Sequence, residues 1–584
     1  MEAQSLKQNK KYGPRKRRFS KSRTAPKARL ERGPRLRIIP LGGLEEVGRN
    51  CTLVEYGNDI VIIDMGLQFP EEDMPGIDYI IPNIAYLRGR EKNIRGVVIT
   101  HGHYDHIGAI PHLMPRLGNP PIYGLPLTNA IIKKRQEDFK KQKLNLVNLK
   151  IDDVLTLGKF KLEFFRVNHN IPDSLGVVVH SPAGTIIHTG DWKLDHNPAD
   201  DKPADLGRIA GIGKRGVVAL LSDSTNASQL GSQISETEIG TNLEQIIEDA
   251  PGRIIIGTFA SLLLRIKQII ETAEKLGKRV AIDGFSMKTN VDIAKQLGYI
   301  KFNPKTLIPI DQVNSYAPNK IIILCTGAQG EQRASLMRVA NGEHRTLSIQ
   351  PGDTVVFSSS VIPGNERTIQ RLKDTLARKG AEIIHHQMMD VHAGGHAKSE
   401  DVKLMIRLVN PQYFVPIEGN HYLLRLNAKV AKSIGFNPKN IFVADNGQVM
   451  EFSKNAGFLT QKRVPTDYVF VDGLGVGDVS QIVLRDRKVL AEDGMVVVIA
   501  TIEAKTGKII GNPDIISRGF VYMKENKKLI EETRHRVKKI VQDRDQKSAA
   551  DNNYIKNKIR NEIGQFLFRK TERRPMILPV VIEA

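Results

Sequence analysis

The sequence predicts an α/β protein of more than one domain, and three observations carry that reading. Between about Leu36 and Trp192, short apolar runs alternate with Gly-rich and Asn/Asp turns, as strands joined by tight connections do. From about Glu236 the texture changes to apolar strands alternating with helical patterns, which implies βαβ units and a parallel sheet. After Thr466 a further unit begins, with strands and a long amphipathic helix in KKLIEETRHRVKKIVQD. At 584 residues the chain exceeds one compact core, and length alone suggests roughly three or four domains.

The first segment stands apart by its charge. The opening 37 residues hold fourteen Lys or Arg against two Glu, within a chain of formal net charge +22. With almost no apolar content and with Pro14, Pro26 and Pro34, this arm cannot build a core and is expected to be disordered in isolation. Its density of positive charge suits a polyanion bound through counterion release. No apolar run approaches the roughly 20 residues needed to cross a bilayer, and the N-terminus lacks the apolar core of a signal peptide. Cys51 and Cys325 match no zinc or redox spacing, so a cytoplasmic location is expected.

Folded sequence opens with RIIPLGGLEEVGRNCTLVEYGNDIVIIDMG, read as a hairpin series feeding a buried sheet. The run IRGVVIT is a buried strand, and IGAIPHLMPRLG is a short helix. Between them lies HGHYDH, which puts His101, His103, Asp105 and His106 at a strand end. Residues i and i+2 of extended chain point the same way, so His101 and His103 can grip one ion while Asp105 and His106 turn towards a second. His169 and Asp191 follow later strands; His169 can complete the first shell, and Asp191, with two oxygens, can bridge. Nitrogen and carboxylate donors without thiolate favour zinc, with manganese as the alternative. Two such ions, roughly 3.5 to 4 Å apart, suit hydrolysis at phosphorus. His112, His180, His188, His344, His385 and His386 read as ordinary strand or surface histidines.

THGHYDHIGA, NHNIPDS and TGDWKLD resemble the metal motifs of the metallo-β-lactamase fold, and LLSDSTN, TFAS, CTGAQGE, GDTVVFSSSVIPGNE and HAGGHA resemble those of its β-CASP branch, specifically the ribonuclease J family. DGLGVGDV, GNPDIISRGFVY and the ending RRPMILPVVIEA are similar to the C-terminal part of the same family, so the likeness covers everything from about residue 36 to 584. It implies an αββα sandwich in two parts, 36–232 and 375–462, split by a β-CASP α/β domain at 233–374, with a linker at 463–477 and a small C-terminal α/β domain at 478–584 that pairs subunits into a homodimer or homotetramer. It also implies maturation and decay of RNA, by 5′-to-3′ exonuclease action favouring a 5′-monophosphate and by endonuclease cuts. Two zinc ions per chain would be held by His101, His103 and His169 and by Asp105 and His106, bridged by Asp191. Asp64 matches a strand-end residue that orients the metal site, Asp223 matches the acidic motif that starts the β-CASP region, and His396 matches a general acid. Ser261 and the segment His392, Ala393, Gly394, Gly395 and His396 would receive a substrate phosphate. From chemistry alone, two glycines between two imidazoles let backbone N–H groups approach an anion closely, and a protonated His396 could protonate a leaving oxygen.

Several positions depart from the family pattern. Tyr104 stands where Glu is common, Leu262 and Leu264 replace polar residues, Phe285 replaces Arg, and Gly394 replaces Ser. In PIEGNHY the family's last metal histidine is replaced by Glu418, whose carboxylate is expected to complete the second metal site and favour harder ions such as manganese. His421, three residues on, is the rival ligand. Two other functions compete with a two-metal ribonuclease. A small-ester hydrolase on the same fold would need neither the arm nor the inserted domain. A catalytically weak RNA-binding subunit paired with an active paralogue would have no need of six retained ligand positions.

Overall fold

The computed structural model describes residues 34–71, 73–139, 143–199, 201–331, 334–361, 365–504, 506, 508–521, 525–542 and 552–584. The expectation of a disordered basic arm at 1–35 falls on residues 1–33 outside the described residues, while its last residue, Arg35, is held by Glu451 at 2.9 Å. Arg35–Ala584 forms one compact unit.

Two sheets face each other in its first part. One has eight strands, in spatial order Ala456–Arg463, Gln448–Ser453, Leu36–Gly42, Cys51–Tyr56, Asp59–Ile63, Ile94–Val98, Ile122–Gly124 and Leu146–Asn148. The other has six, in order Tyr413–Ile417, Ala219–Asp223, Gly184–His188, Leu175–Ser181, Phe160–Arg166 and Val154–Leu157. Side chains alternate across each strand, so Ile38, Val54, Val61, Val177 and Val179 fill the space between the sheets with Phe164 and Phe452. Their sequence neighbours Ile39, Leu53, Ile62 and Val178 face outwards into separate apolar layers. Val178 packs with Ile209 and Met405, from helices Leu206–Lys214 and Ser399–Val409. Both sheets thus have two apolar faces, which only a helix–sheet–sheet–helix arrangement can bury.

The expected hairpin turn at SPAG closes Leu175–Ser181 onto Gly184–His188, with Ser181 opposite Gly184. IGAIPHLMPRLG is more broken than expected. It forms a helical turn at Ile110–Leu113 and a tighter one at Met114–Arg116, each with proline in its first two positions.

The inserted segment builds a six-stranded sheet in order Leu307–Ile308, Arg279–Asp283, Ile321–Cys325, Ile254–Thr258, Thr354–Ser358 and Glu382–His385, all parallel, so its last strand lies beyond the expected boundary at 374. The texture change near Glu236 predicts this arrangement. The last part pairs Met495–Ile502 with Ile509–Arg518 and Met576–Glu583 and covers one face with helices Lys527–Gln542 and Asn552–Thr571. Among the described residues no helix is long and apolar enough to cross a membrane, and Cys51 and Cys325 are buried free thiols.

Candidate active site

Strand ends of the sandwich deliver most of the predicted residues to one place. Asp59–Ile63 ends at Asp64, Ile94–Val98 runs on to His101, Gly184–His188 to Asp191, Ala219–Asp223 stops at Asp223, and Tyr413–Ile417 runs into Glu418. A bridge between Asn168 and Lys193, with Lys193 N–H donating to Asn168 O at 2.8 Å, brings the His169 and Asp191 segments side by side. Asp64 and Glu418 both hold left-handed backbone, at φ 64° and 56°. That conformation costs a non-glycine residue about 1–3 kcal/mol and concentrates at functional sites. Both carboxylates lie within one group with His106.

Three imidazoles converge with Asp191. His103 Nδ1 lies 3.0 Å from His101 Nε2 and 3.1 Å from His169 Nε2, and each of those Nε2 atoms lies 3.7 Å from Asp191 Oδ2. The outward nitrogens are engaged elsewhere: His101 Nδ1 with Thr100 Oγ at 3.1 Å, His103 Nε2 with Ser261 Oγ at 2.9 Å, and His169 Nδ1 donating to Gly395 O at 2.7 Å. Burial pushes His103 down to about 3 and holds His101 and His169 well below the ordinary histidine range. The rings are therefore neutral, with lone pairs free to face a common centre.

A second group adjoins the first. His106 Nδ1 donates to Asp64 Oδ2 at 2.8 Å, which turns its Nε2 towards Asp191 Oδ1 at 3.4 Å and Asp105 Oδ2 at 3.6 Å. The direction of Asp105 and His106 comes from a helical turn, Tyr104–Ile107, and not from continued strand alternation. Glu418 is buried, and neither of its oxygens meets a hydrogen-bond donor. Burial, then the carboxylates of Asp191 and Asp223, push its carboxyl well above the usual range. An orphaned carboxylate among other carboxylates fits a cation as its partner. Metal chemistry therefore suits the donor set: three nitrogens and an oxygen in one group, mostly oxygens around His106 in the other. His421 lies elsewhere. It is the first residue of helix His421–Ser433, exposed, accepting from Arg425 Nε at 3.1 Å and grouped with Glu45 and Asp445.

His396 borders both groups. Its Nδ1 donates to Asp223 Oδ2 at 2.8 Å and lies 3.9 Å from Asp191 Oδ2. Burial works against its charge, but Asp223 and Asp191 prevail and raise it to about 9. Gly395 has no room for a side chain, since a Cβ would sit 2.6 Å from His169 Cε1 and 2.7 Å from Asn170 Nδ2. At Gly394 a Cβ would meet the amides of Gln233 and Asn226, 2.8 and 2.9 Å away, which occupy the room a serine would need. Ala393 is buried. Arg265 donates to His392 Nδ1 at 2.9 Å and to Ser358 Oγ at 3.1 Å.

Sequence reasoning passed over several contributors. Asn50 Nδ2 lies 2.9 Å from His106 Nε2, and a lone Asn in a turn offers no signal. Thr100 ties the carboxylate of Asp64 to the histidine loop through its N–H and hydroxyl, both at 2.8 Å. Buried Arg265 and Lys193 both bind Glu236, at 2.5 and 2.9 Å. Arg265 did carry a signal, because it shares the apolar stripe of LLLRIKQII with Leu262 and Ile269.

Comparison with known proteins matches this architecture part by part. Residues 44–228 match the metallo-β-lactamase superfamily, 251–376 the ribonuclease J β-CASP domain, and 482–584 the ribonuclease J C-terminal domain. The chain is 40% identical to ribonuclease J 1 of Streptococcus pyogenes serotype M3, over 93% of this chain and 97% of that protein. It is 38% identical to ribonuclease J2 of Bacillus subtilis strain 168, over 94% and 98%. It is 36% identical to ribonuclease J 2 of Staphylococcus epidermidis, again over 94% and 98%. A solved structure of a protein of unknown function from Enterococcus faecalis V583 shares the fold at TM-score 0.51 and 17% identity, covering 72% of this chain and all of that one. With matches of this length and identity, and a donor set suited to metal, the chain belongs to the ribonuclease J family of metal-dependent nucleases.

Proposed function

We propose that this chain hydrolyses RNA at a two-metal centre, removing nucleotides 5′-to-3′ from 5′-monophosphate ends and also cutting internally, in RNA maturation and decay. The observation that carries the reading is the gathering of three neutral imidazoles with Asp191, one of whose oxygens lies 3.7 Å from both His101 and His169 while the other faces His106. His101, His103, His169 and Asp191 would hold one ion, and Asp105, His106, Asp191 and Glu418 the other, with zinc at both or manganese as the alternative. Bound there, the pair supplies Lewis acidity at the phosphoryl group and lowers the pKa of the attacking water.

The chain's own groups do the rest. Asp64 fixes the tautomer of His106, so that its Nε2 lone pair points inwards. Ser261 and the backbone N–H groups of Gly394 and Gly395 receive the phosphate; His392, braced by Arg265, forms the back of that pocket. Asp223 orients His396 and keeps it protonated, so that His396 gives its proton to the leaving 3′-oxygen.

The C-terminal domain is proposed to join copies of the chain. Leu578, Val580 and Ile582 alternate along Met576–Glu583 and stay exposed on the sheet face away from the domain's core.

The test uses one RNA labelled at either end and offered with a 5′-monophosphate or a 5′-triphosphate. Single-nucleotide products from the monophosphate end are expected from the wild type. Asp105→Ala abolishes them with RNA binding nearly intact, and His396→Ala slows cleavage by about 10²- to 10⁴-fold with metal content unchanged. Cleavage by Asp105→Ala at the wild-type rate would refute the two-metal reading.

A further inference from the structure

Three loops meet on the Asp105 side of the ligand groups, and their tips carry exposed apolar side chains that neither the core nor the proposed chemistry uses. Backbone hydrogen bonds tie the loops together: Asn50 N–H to Asp105 O at 3.0 Å, Arg49 N–H to Leu67 O at 2.8 Å, and Leu67 N–H to Tyr104 O at 3.0 Å. On them Val47, Phe69 and Tyr104 are 55%, 65% and 42% exposed. Single exposed apolar residues are ordinary on any surface, but three on loops joined at a ligand cluster form a patch with a location.

Tyr104 is the best defined of the three. It lies between His103 and Asp105 in sequence, and the guanidinium carbon of Arg135 sits 4.7 Å from its ring centroid. That guanidinium is held in place by hydrogen bonds from Nε and Nη2 to Gly108 O, at 3.3 and 3.1 Å. The phenol ring is thus backed by a fixed cation while much of the residue faces solvent. A ring held this way loses little freedom when a flat group covers it, so stacking is not offset by ordering.

An RNA strand at the ligand groups brings flat apolar surfaces to this place. Every nucleobase has a π face, so aromatic stacking is sequence-tolerant, and it strengthens single-strand binding by roughly 5- to 150-fold per base. A tyrosine at 104 also leaves this lip without the negative charge that a glutamate would turn towards a polyanion. We propose that Tyr104, with Phe69 and Val47 beside it, forms a base-stacking lip that holds the base of a nucleotide next to the phosphodiester at the ligand groups. This rests on the RNA-hydrolase reading.

Oligoribonucleotides with one abasic position, moved a step at a time along the strand, test it. They are titrated against the full metal-loaded chain and against Tyr104→Ala, Tyr104→Phe and Phe69→Ala, with Kd read by fluorescence anisotropy and bound metal per chain measured alongside. One abasic position is expected to weaken wild-type binding by roughly 5-fold or more. Tyr104→Ala should weaken intact RNA by a similar factor and no longer distinguish that position, while Tyr104→Phe keeps the distinction because stacking needs the ring and not the hydroxyl. Tyr104→Ala that keeps the wild-type abasic profile overturns the lip, as does uniform weakening at every position. If Tyr104→Ala loses metal, Phe69→Ala decides: an abasic profile like that of the wild type then overturns the proposal. A wild-type chain that binds and cleaves RNA with no sensitive position refutes the lip alone, whereas one that cleaves no RNA refutes the reading beneath it.

Discussion

At the scale of single residues, position 418 holds a glutamate where the resemblance leads one to expect a metal-binding histidine. The left-handed φ of 56° turns Glu418 into the group of Asp64 and His106, and burial leaves its carboxylate without a donor. A carboxylate binds zinc or manganese at about 2.0–2.2 Å, so glutamate can take a histidine's place while making the second site harder. Glu418→Gln is expected to lose one of two bound metals per chain, and His421→Ala to keep both, as measured by elemental analysis of the purified variants. Two metals in Glu418→Gln and one in His421→Ala would reverse the assignment. The sequence pointed to a carboxylate at the end of a strand. Only the backbone conformation shows that it turns inwards while His421 begins an exposed helix.

At the scale of elements, the sandwich and the inserted domain are joined by a buried ion network. Glu236, the first residue of helix Glu236–Asp249, binds Arg265 of helix Leu263–Lys275 and Lys193 of the Asp191 segment. Burial alone would raise its carboxyl, but Arg265 and Lys193 lower it to about 2 from an ordinary value of 4.5. Because the folded value is the depressed one, this stabilisation is complete above about pH 4.5 and is lost as the pH falls through about 2. It is worth on the order of 3 kcal/mol. Glu236→Gln should therefore unfold at a lower temperature than the wild type at pH 6, with the gap narrowing towards pH 3. A gap that stays constant across that range would show that the carboxylate's charge is not what stabilises the junction.

At the scale of the whole molecule, charge and exposed surface outside the core lead to two expectations. The arm carries much of the excess positive charge, so deleting residues 1–35 should weaken RNA binding and flatten its salt dependence, with cleavage of short substrates retained. Every phosphate that goes unneutralised without the arm lowers the slope of log K against log salt by about 0.7 for single strands. A slope equal to that of the full chain would leave the arm without a role in binding. In the C-terminal domain, Val580→Glu places a charge on the exposed sheet face and should lower the mass measured by light scattering towards that of one chain. An unchanged assembly would locate the interface elsewhere.

Local pattern determined a good deal about this protein. Short apolar runs between Gly-rich and Asn/Asp turns marked the strands of the sandwich, strand–helix alternation marked the parallel sheet, and the close spacing of His101, His103, Asp105 and His106 marked the ligands, because each of these is written within a few consecutive residues. His169, Asp191, Asp223 and His396 were legible only beside that cluster and the family's motifs, since each is an ordinary residue in its own segment. Pairings made across the fold were left to the tertiary structure. That of Asp64 with His106 spans 42 residues and that of Asp223 with His396 spans 173. The crowding that keeps three histidines neutral, the bracing of His392 by Arg265, and the inward turn of Glu418 all depend on what packs around a side chain. Sequence order says which groups a segment carries, and burial and distance set their charge and their neighbours.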